Sequence, residues 1–566
     1  MDLAHPPQHD DAGCRRHLRP GRHSRLQHRG QDRHDFDLQQ RAGRVRPAAG
    51  HRLLHGDRTG RRPALRRPRQ DRRAGRAGLG LHGGGARLPA SRHRDRQPPQ
   101  RAARYGGCAE ERRVTRFLTA SDVRRLLQDL VVESRGDFPG QPVVFRIDSR
   151  EVTLGDGFLA LRGSTVDGND FVSDALARGA GVVITERPAS DNGVIQVNDT
   201  LAALHELARL WRREQQVRIV GITGSVGKTT TKELTADVLS AAGPTLRNAA
   251  NWNTEIGVPL TLLGLTSDHR WAVLEMAMRG SGQIRDLARI ATPDVGVVTN
   301  VGQVHAELLG SLDAIAWAKS ELIRELGPDG VAVLNVEDPR VAAMARKAAC
   351  RVVEYGFRQS AAIRADKVST HGLDGVTFDL VAEGRSTAVN LKLPGRHNAL
   401  NAAAAAAVGL TEGLALETVV AALESSVPYR MRRVSGVRGS LILDDSYNAS
   451  PASMRSALDV LVETEGRHVA VLGDMRELGQ YEEDAHLDVG AYAADRADII
   501  VTVGEKGRLI ADAAREKGHH AAHAYPTKED AAADLRKNLR AGDVVLVKAS
   551  RALALETIVN ELEAEP

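Results

Sequence analysis

Val217-Arg-Ile-Val-Gly-Ile-Thr223 is an apolar run, Gly224-Ser225-Val226-Gly227 a glycine-bounded turn, and Lys228-Thr229-Thr230-Thr-Lys-Glu-Leu234 the opening of a helix. A strand, a glycine turn and a Lys-Thr helix start together make a phosphate cradle. The glycines let backbone N–H groups close around phosphate oxygens, Lys228 neutralises charge, and the Thr229 hydroxyl can ligate Mg²⁺. The ordinary phosphate-loop spacing requires a glycine five places before Gly227, where this chain has Ile222. The shorter Thr-Gly-x-x-Gly-Lys-Thr form after a strand builds the same cradle. A glycine turn alone would be only a connection; the Lys-Thr pair makes it a nucleotide site.

Outward from this loop the pattern stays α/β. Apolar runs at Trp271–Glu275, Val295–Asn300 and Gly330–Asn335 alternate with helical patterns, which predicts a parallel sheet covered on both faces. Helices over Asn398–Gly409 and Leu416–Ser425 close a unit spanning 216–428. Upstream, a smaller unit over 114–215 holds a helix at Ser121–Leu130, apolar runs at Val143–Ile147 and Val182–Thr185, and a helix at Leu201–Arg213. Downstream, over 429–566, Leu441–Leu443, Val469–Leu472, Ile499–Val503 and Val544–Val547 read as strands of a Rossmann-like array. Ser450-Pro451 is a helix entry, a capping side chain followed by proline.

The 566 residues are 42% hydrophobic, which excludes a wholly disordered chain. No apolar run approaches the roughly 18 residues of a membrane helix, and the first residues lack a signal-peptide stretch. Three cysteines form neither a disulfide framework nor a zinc spacing. A cytoplasmic protein is expected. The net charge of +6 joins two unlike pieces: residues 1–113 carry 28 Arg, no Lys and 11 Asp+Glu, so +17 belongs to them and −11 to the remainder. Residues 1–113 also hold no Ile, no Trp and one Val, too few to offset chain entropy by burial. Three readings fit this extension. It is a GC-rich gene translated out of frame upstream of the true start (the favoured reading), idle disorder, or an Arg-rich nucleic-acid arm. The acidic remainder argues against a nucleic-acid-dependent NTPase.

Glu275 closes its apolar run and His305 follows the run ending at Asn300. Ligands of open α/β sheets sit at the carboxyl ends of strands, so Thr229, Glu275 and His305 can converge there as partial ligands of Mg²⁺. Each also has a plainer reading, Glu275 as a helix cap and His305 as a loop residue. Lys319 lies in a helical pattern and by itself reads as a solvated lysine. Asn398 either caps its helix or meets an adenine edge. Lys548 and Arg551 at a strand end suit phosphate or carboxylate, or merely start a basic helix. Ala549 between them would resist a positive φ.

Thr223-Gly-Ser-Val-Gly-Lys-Thr-Thr230 resembles the ATP loop of the Mur ligases. Matching motifs run from Asp148-Ser149-Arg150 to Lys548-Ala-Ser-Arg551 and cover nearly all of 117–566. The resemblance is closer to the members that join D-alanyl-D-alanine to UDP-N-acetylmuramoyl-tripeptide than to those adding diaminopimelate or glutamate; the diaminopimelate signature Asp-Asn-Pro-Arg is absent. It implies three domains: UDP-substrate-binding (114–215), ATP-binding (216–428) and a C-terminal ligase domain (429–566), acting as a monomer. It implies catalytic roles for Lys228, Glu275, His305, Lys319, Lys548 and Arg551, and ATP contacts by Gly224, Ser225, Val226, Gly227, Lys228, Thr229 and Thr230. It implies two Mg²⁺ ions held by Thr229, Glu275, His305 and Lys319, the last as a carbamate. His397, Asn398 and Asn401 match the stretch near adenine. Asp445, Tyr447 and Asn448 stand in Asp444-Asp-Ser-Tyr-Asn-Ala-Ser450-Pro, where Ser450 replaces the family's asparagine. Asp148, Ser149, Arg150 and Asp167 match positions near the uridine nucleotide, and Asn251, Asn253 and Thr254 the place where the central domain meets that substrate. A chain beginning at Val114 is therefore expected to keep the full ligase activity that the resemblance implies, and to unfold at the temperature of the whole chain. A large loss in either measurement would make residues 1–113 working protein.

Overall fold

The computed structural model describes residues 115–188, 191–304 and 306–564. The expectations for residues 1–113 and for His305 fall outside them. Three sheets follow one another along the chain. The first comprises β1 (Val131–Arg135), β2 (Phe145–Arg146), β3 (Gly157–Leu159), β4 (Val182–Thr185) and β5 (Val194–Val197), in the order β1-β5-β4-β3-β2. Only β1 runs antiparallel to its neighbour. The helix before it, Ala120–Leu126, starts at Thr119, which forms a reciprocal capping box with Asp122.

The second sheet has nine strands: β6 (Arg218–Thr223), β7 (Thr245–Arg247), β8 (Trp271–Glu275), β9 (Val295–Val298), β10 (Val331–Asn335), β11 (Arg351–Gly356), β12 (Ile363–Thr370), β13 (Val376–Ala382) and β14 (Arg385–Leu391). Their order is β14-β13-β12-β11-β10-β9-β6-β8-β7. β6 lies between β8 and β9, parallel to both. Its side chains divide between two cores. Val220 and Ile222 pack with the helices Lys228–Ser240 and His397–Thr411, whereas Ile219 joins Ala272, Leu274 and Leu287 on the other face. This two-sided burial is why β6 and β8 read as continuous apolar runs.

The expectation of a wholly parallel sheet needs correction at its far edge. β12, β13 and β14 form an antiparallel meander. β13 alternates buried and half-buried residues, a period-2 signal. Glu383 (φ 52°) and Gly384 (φ 75°) make the tight turn into β14.

The third sheet, β15 (Arg432–Ser435), β16 (Leu441–Asp444), β17 (Arg467–Gly473), β18 (Ile499–Val503), β19 (Ala522–Tyr525) and β20 (Asp543–Lys548), has the order β15-β16-β20-β17-β18-β19. All pairs but β15–β16 are parallel. The helix Pro451–Val462 begins at Ser450 with proline in its first turn, as the sequence predicts.

The first sheet is joined to the second by apolar burial. Trp211, on the helix Thr200–Arg213, is fully buried and donates its indole N–H to Leu265 O at 3.1 Å, in a core shared with Val258, Leu262 and Leu287. Trp211→Ala is expected to cost about 3–5 kcal/mol, as aromatic-to-alanine changes in cores do. Chemical denaturation measures it, and a loss below about 1 kcal/mol would mean that this joint does not depend on the indole.

Candidate active site

The phosphate loop turns where β6 ends. Gly224 adopts φ 153°, and a β-carbon there would collide with Thr299 Oγ1; at Gly227 (φ 85°) it would lie 2.7 Å from Asn401 Oδ1. Both glycines are therefore steric requirements. Asn300, at the end of the neighbouring strand's extension, clamps the loop. Its carbonyl accepts from Ser225 N (2.9 Å), its Oδ1 accepts from Val226 N (2.8 Å), and its Nδ2 donates to Val226 O (2.9 Å). The amides of Ser225 and Val226 are thus engaged by protein. The anion-facing donors are the N–H groups of the first helical turn, on Lys228, Thr229 and Thr230, which have no preceding turn to bond. Lys228 Nζ donates to Gly224 O (2.9 Å) and Ser225 O (3.1 Å). Burial lowers its pKa below the ordinary lysine value, Glu275 opposes that shift, and Arg430 adds to it.

Beside the loop, Thr229 Oγ1 donates to Glu275 Oε2 at 2.9 Å. Asn253 Nδ2 donates to the other oxygen of Glu275 at 2.8 Å, and Arg430 Nη2 donates to Thr229 Oγ1 at 3.2 Å. Glu275 is 2% exposed and ends β8, as the run Trp271–Glu275 predicts. Lys319 is also 2% exposed, which corrects the plain reading of a solvated lysine. Among the described residues no hydrogen bond or ion pair reaches its ammonium, and burial, with Lys228 nearby, holds its pKa well below the usual lysine value. Among the described residues no three His, Cys, Asp or Glu side chains gather into a cage. A hydroxyl and one carboxylate instead fit a hard cation that shares phosphate oxygens and water.

A second polar cluster is built from the helix His397–Thr411 and the third sheet. Asn398 Nδ2 donates to Pro394 O (2.7 Å), Asn401 Nδ2 to Asn398 Oδ1 (2.8 Å), and Thr231 Oγ1 to Asn401 Oδ1 (3.3 Å). Lys548 Nζ, on a side chain 3% exposed, donates to Asp445 Oδ2 at 2.6 Å and to Asn448 O at 2.9 Å. Burial lowers the pKa of His397, with Asp445 pulling the other way. Arg430 stacks 4.3 Å from the Tyr447 ring, and Arg551 lies 5.9 Å from it. A cleft of about 810 Å³ opens among Pro394, Tyr429, Arg430, Asp445, Tyr447 and Arg551. Ala549 is fully buried and has no positive φ, in keeping with an alanine's resistance to one; the left-handed residue nearby is Ala554. Ser450 caps its helix.

The remaining sequence candidates lie in other loops. Asp148 accepts from Arg150 N and pairs with the Arg150 guanidinium, Ser149 is buried, and Asp167 pairs with Arg187 at 2.7 Å. These contacts stay within the first sheet's own loops. Asn251 is exposed and accepts from Asn253 N through its carbonyl, and Thr254 O accepts from Val258 N. Sequence reasoning missed Asn300, Asn248 and Arg430. Asn300 carries a usable signal, a polar residue closing an apolar run beside the loop strand. Arg430 sits in the basic linker Pro428-Tyr-Arg-Met-Arg-Arg433, which no periodicity distinguishes.

Residues 144–212 match the Mur ligase family catalytic domain, 222–409 the Mur ligase middle domain, and 429–551 the Mur ligase glutamate ligase domain. A UDP-N-acetylmuramoyl-tripeptide–D-alanyl-D-alanine ligase from Synechocystis sp. is 40% identical over 430 residues, spanning 74% of this chain and 91% of its own. Its counterpart from Mycobacterium tuberculosis is 38% identical over 468 residues, with the same coverage. Among solved structures, MurF from Acinetobacter baumannii superposes with a TM-score of 0.71 at 32% identity, covering 78% of this chain and 98% of that one. MurF ligase from Thermotoga maritima in complex with ADP gives 0.66 at 30% identity, covering 74% and 96%. With three domains of the family matched in order and these relatives covered along nearly their whole length, the chain belongs to the Mur ligase family.

Proposed function

We propose that this chain joins D-alanyl-D-alanine to UDP-N-acetylmuramoyl-tripeptide with hydrolysis of ATP, yielding the UDP-linked pentapeptide precursor of peptidoglycan. One observation carries the reading: the Thr229–Glu275 hydrogen bond at the mouth of a phosphate loop, in a chain whose relatives bear that ligase name. ATP phosphorylates the free carboxylate of the tripeptide; the dipeptide amine then attacks the acyl phosphate, and phosphate leaves as the amide forms. We assign 114–215 to the UDP substrate, 216–428 to ATP and 429–566 to the ligase domain, working as a cytoplasmic monomer. Among the described residues no helix is long and apolar enough to cross a membrane.

In this scheme Lys228 and the amides of the first helical turn hold the phosphates and stabilise charge on the transferred oxygens. Arg430, within reach of Thr229, adds a cation on the same side. His397, Asn398, Asn401, Asp445, Tyr447 and Asn448 bind the adenosine, and Lys548 and Arg551 orient carboxylate or phosphate. Asp148, Ser149, Arg150 and Asp167 serve the uridine nucleotide, with Asn251, Asn253 and Thr254 at the central domain's edge. Thr229, Glu275 and His305 would hold Mg²⁺, with carbamylated Lys319 at a second ion; the metal supplies neutralisation of phosphate charge. Burial supports that modification. An amine held neutral adds through nitrogen to CO₂ and releases one proton, turning a buried amine into an anionic oxygen donor. The domains exclude water from an acyl phosphate that would otherwise hydrolyse.

Lys228→Ala is expected to abolish both ligation and ADP formation while the variant unfolds near the wild-type temperature. Near-normal turnover in the folded variant would refute the phosphate-loop assignment. Lys319→Ala is expected to lose activity and to regain part of it with added short-chain carboxylates, which stand in for the carbamate. Failure of every carboxylate would count against carbamylation.

A further inference from the structure

Lys232 lies one turn beyond the phosphate loop on the helix Lys228–Ser240, and its side chain is 0% exposed. A buried ammonium must be hydrogen-bonded, since an unpaired one carries a large desolvation cost. Its two partners are Glu233 Oε1 at 2.8 Å and the carbonyl of Asn248 at 2.7 Å. Glu233 is itself held by Arg247 at 2.9 Å, so it has a cation with or without Lys232. The bond that depends on Lys232 is the one to Asn248.

Asn248 is also fully buried, and its side chain does an unusual job. β7 ends at Arg247, leaving the last residue of β8 without a backbone neighbour on that side. The Asn248 side-chain amide takes the place of a further peptide group. Its Oδ1 accepts from Glu275 N at 2.9 Å, and its Nδ2 donates to Glu275 O at 3.0 Å. The same Nδ2 donates to Trp252 O at 2.8 Å, fixing the loop whose Asn253 holds the Glu275 carboxylate. Thus the helix carrying Thr229 and the strand end carrying Glu275 are joined twice, once by the Thr229–Glu275 bond and once, behind it, by Lys232–Asn248.

We propose that Lys232 and Asn248 are positioning residues for phosphoryl transfer, a buried tie that sets the separation of Thr229 and Glu275. The inference rests on the reading of Glu275 as a Mg²⁺ ligand. It differs from a purely structural role in what it predicts for Lys232→Met. Lys232→Met leaves Glu233 its Arg247 partner but the buried Asn248 carbonyl without its donor, so a structural role alone lowers the unfolding temperature and leaves metal-dependent binding intact in the folded protein. The tie predicts instead a folded variant in which Mg²⁺ strengthens nucleotide binding far less than in wild type.

The experiment is calorimetric titration of the full chain with ADP, with and without Mg²⁺, alongside thermal unfolding and steady-state kinetics, for Lys232→Met, Asn248→Ala, the double variant and Glu275→Gln. The expected result is Mg²⁺-free ADP affinity near wild type, with the Mg²⁺-dependent gain reduced about ten- to a hundredfold, the usual effect of removing a residue that orients a metal ligand. The kcat falls with it, and the double variant loses little more than the worse single one, because the two residues form one connection. Should Lys232→Met fail to fold, Asn248→Ala reads the same quantity. An unchanged Mg²⁺-dependent gain in whichever of the two folds overturns the tie, and so does failure of both to fold, which would mark the pair as structural. If Glu275→Gln itself keeps the gain, the metal reading fails; if it loses the gain while the other two keep it, the tie alone is wrong.

Discussion

The hydrogen bond from Thr229 to Glu275 is possible only because β6 and β8 are parallel neighbours in one register, with Ile222 opposite Glu275. Their carboxyl ends then open on the same edge of the sheet, and the loop from β6 must turn back over the end of β8. Everything chemical in the central unit follows from that edge. Asn300 reaches the loop from the extension of β9, on the other side of β6. The glycines let the loop pass close to Thr299 and Asn401. The arrangement needs both faces of the sheet covered, since the strands that hold these ends level are apolar on both sides.

Charge is distributed unevenly at this edge. Lys228 lies near Arg430 and one buried carboxylate, Glu275, Lys319 lies near Lys228, and burial lowers the pKa of both lysines. Lys228 and Arg430 bring more positive charge to this edge than Glu275 alone offsets. A polyphosphate supplies the missing negative charge, so the arrangement favours the ligand over the empty site. The opposite solution appears at Lys548, whose ammonium already has Asp445 and the Asn448 carbonyl as partners. That lysine holds the strand end in place at least as much as it offers charge to a substrate.

How much of this was legible in the sequence depended on whether a residue's neighbours were local. The loop, the strand ending at Glu275 and the Ser450-Pro451 helix entry are written in contiguous patterns, and the structure has them where they were read. The direction of the meander β12–β14 was not, because alternation marks a half-buried strand without saying which way its neighbour runs. Lys319 looked like a surface lysine because helix periodicity does not show what covers the last residue of the short helix Leu312–Lys319. At Ala549 the local rule held: the left-handed turn after β20 falls at Ala554, and residue 549 packs in the core opposite Gly473.

Arg430 and Lys232 mark the deeper limit. Arg430 belongs to the segment joining the second and third sheets, yet it donates to Thr229, about 200 residues earlier, and stacks on Tyr447 of the third sheet's loop. Its neighbours Ser426 and Tyr429 both donate to Asp237, on the same helix as Thr229, and Arg247 pairs with that carboxylate at 2.9 Å. The connecting segment is therefore fastened at two points along the phosphate helix, one at its first turn and one eight residues on. A site assembled this way couples the placement of the ligase part to the geometry of Thr229, and no single stretch of sequence could carry that information.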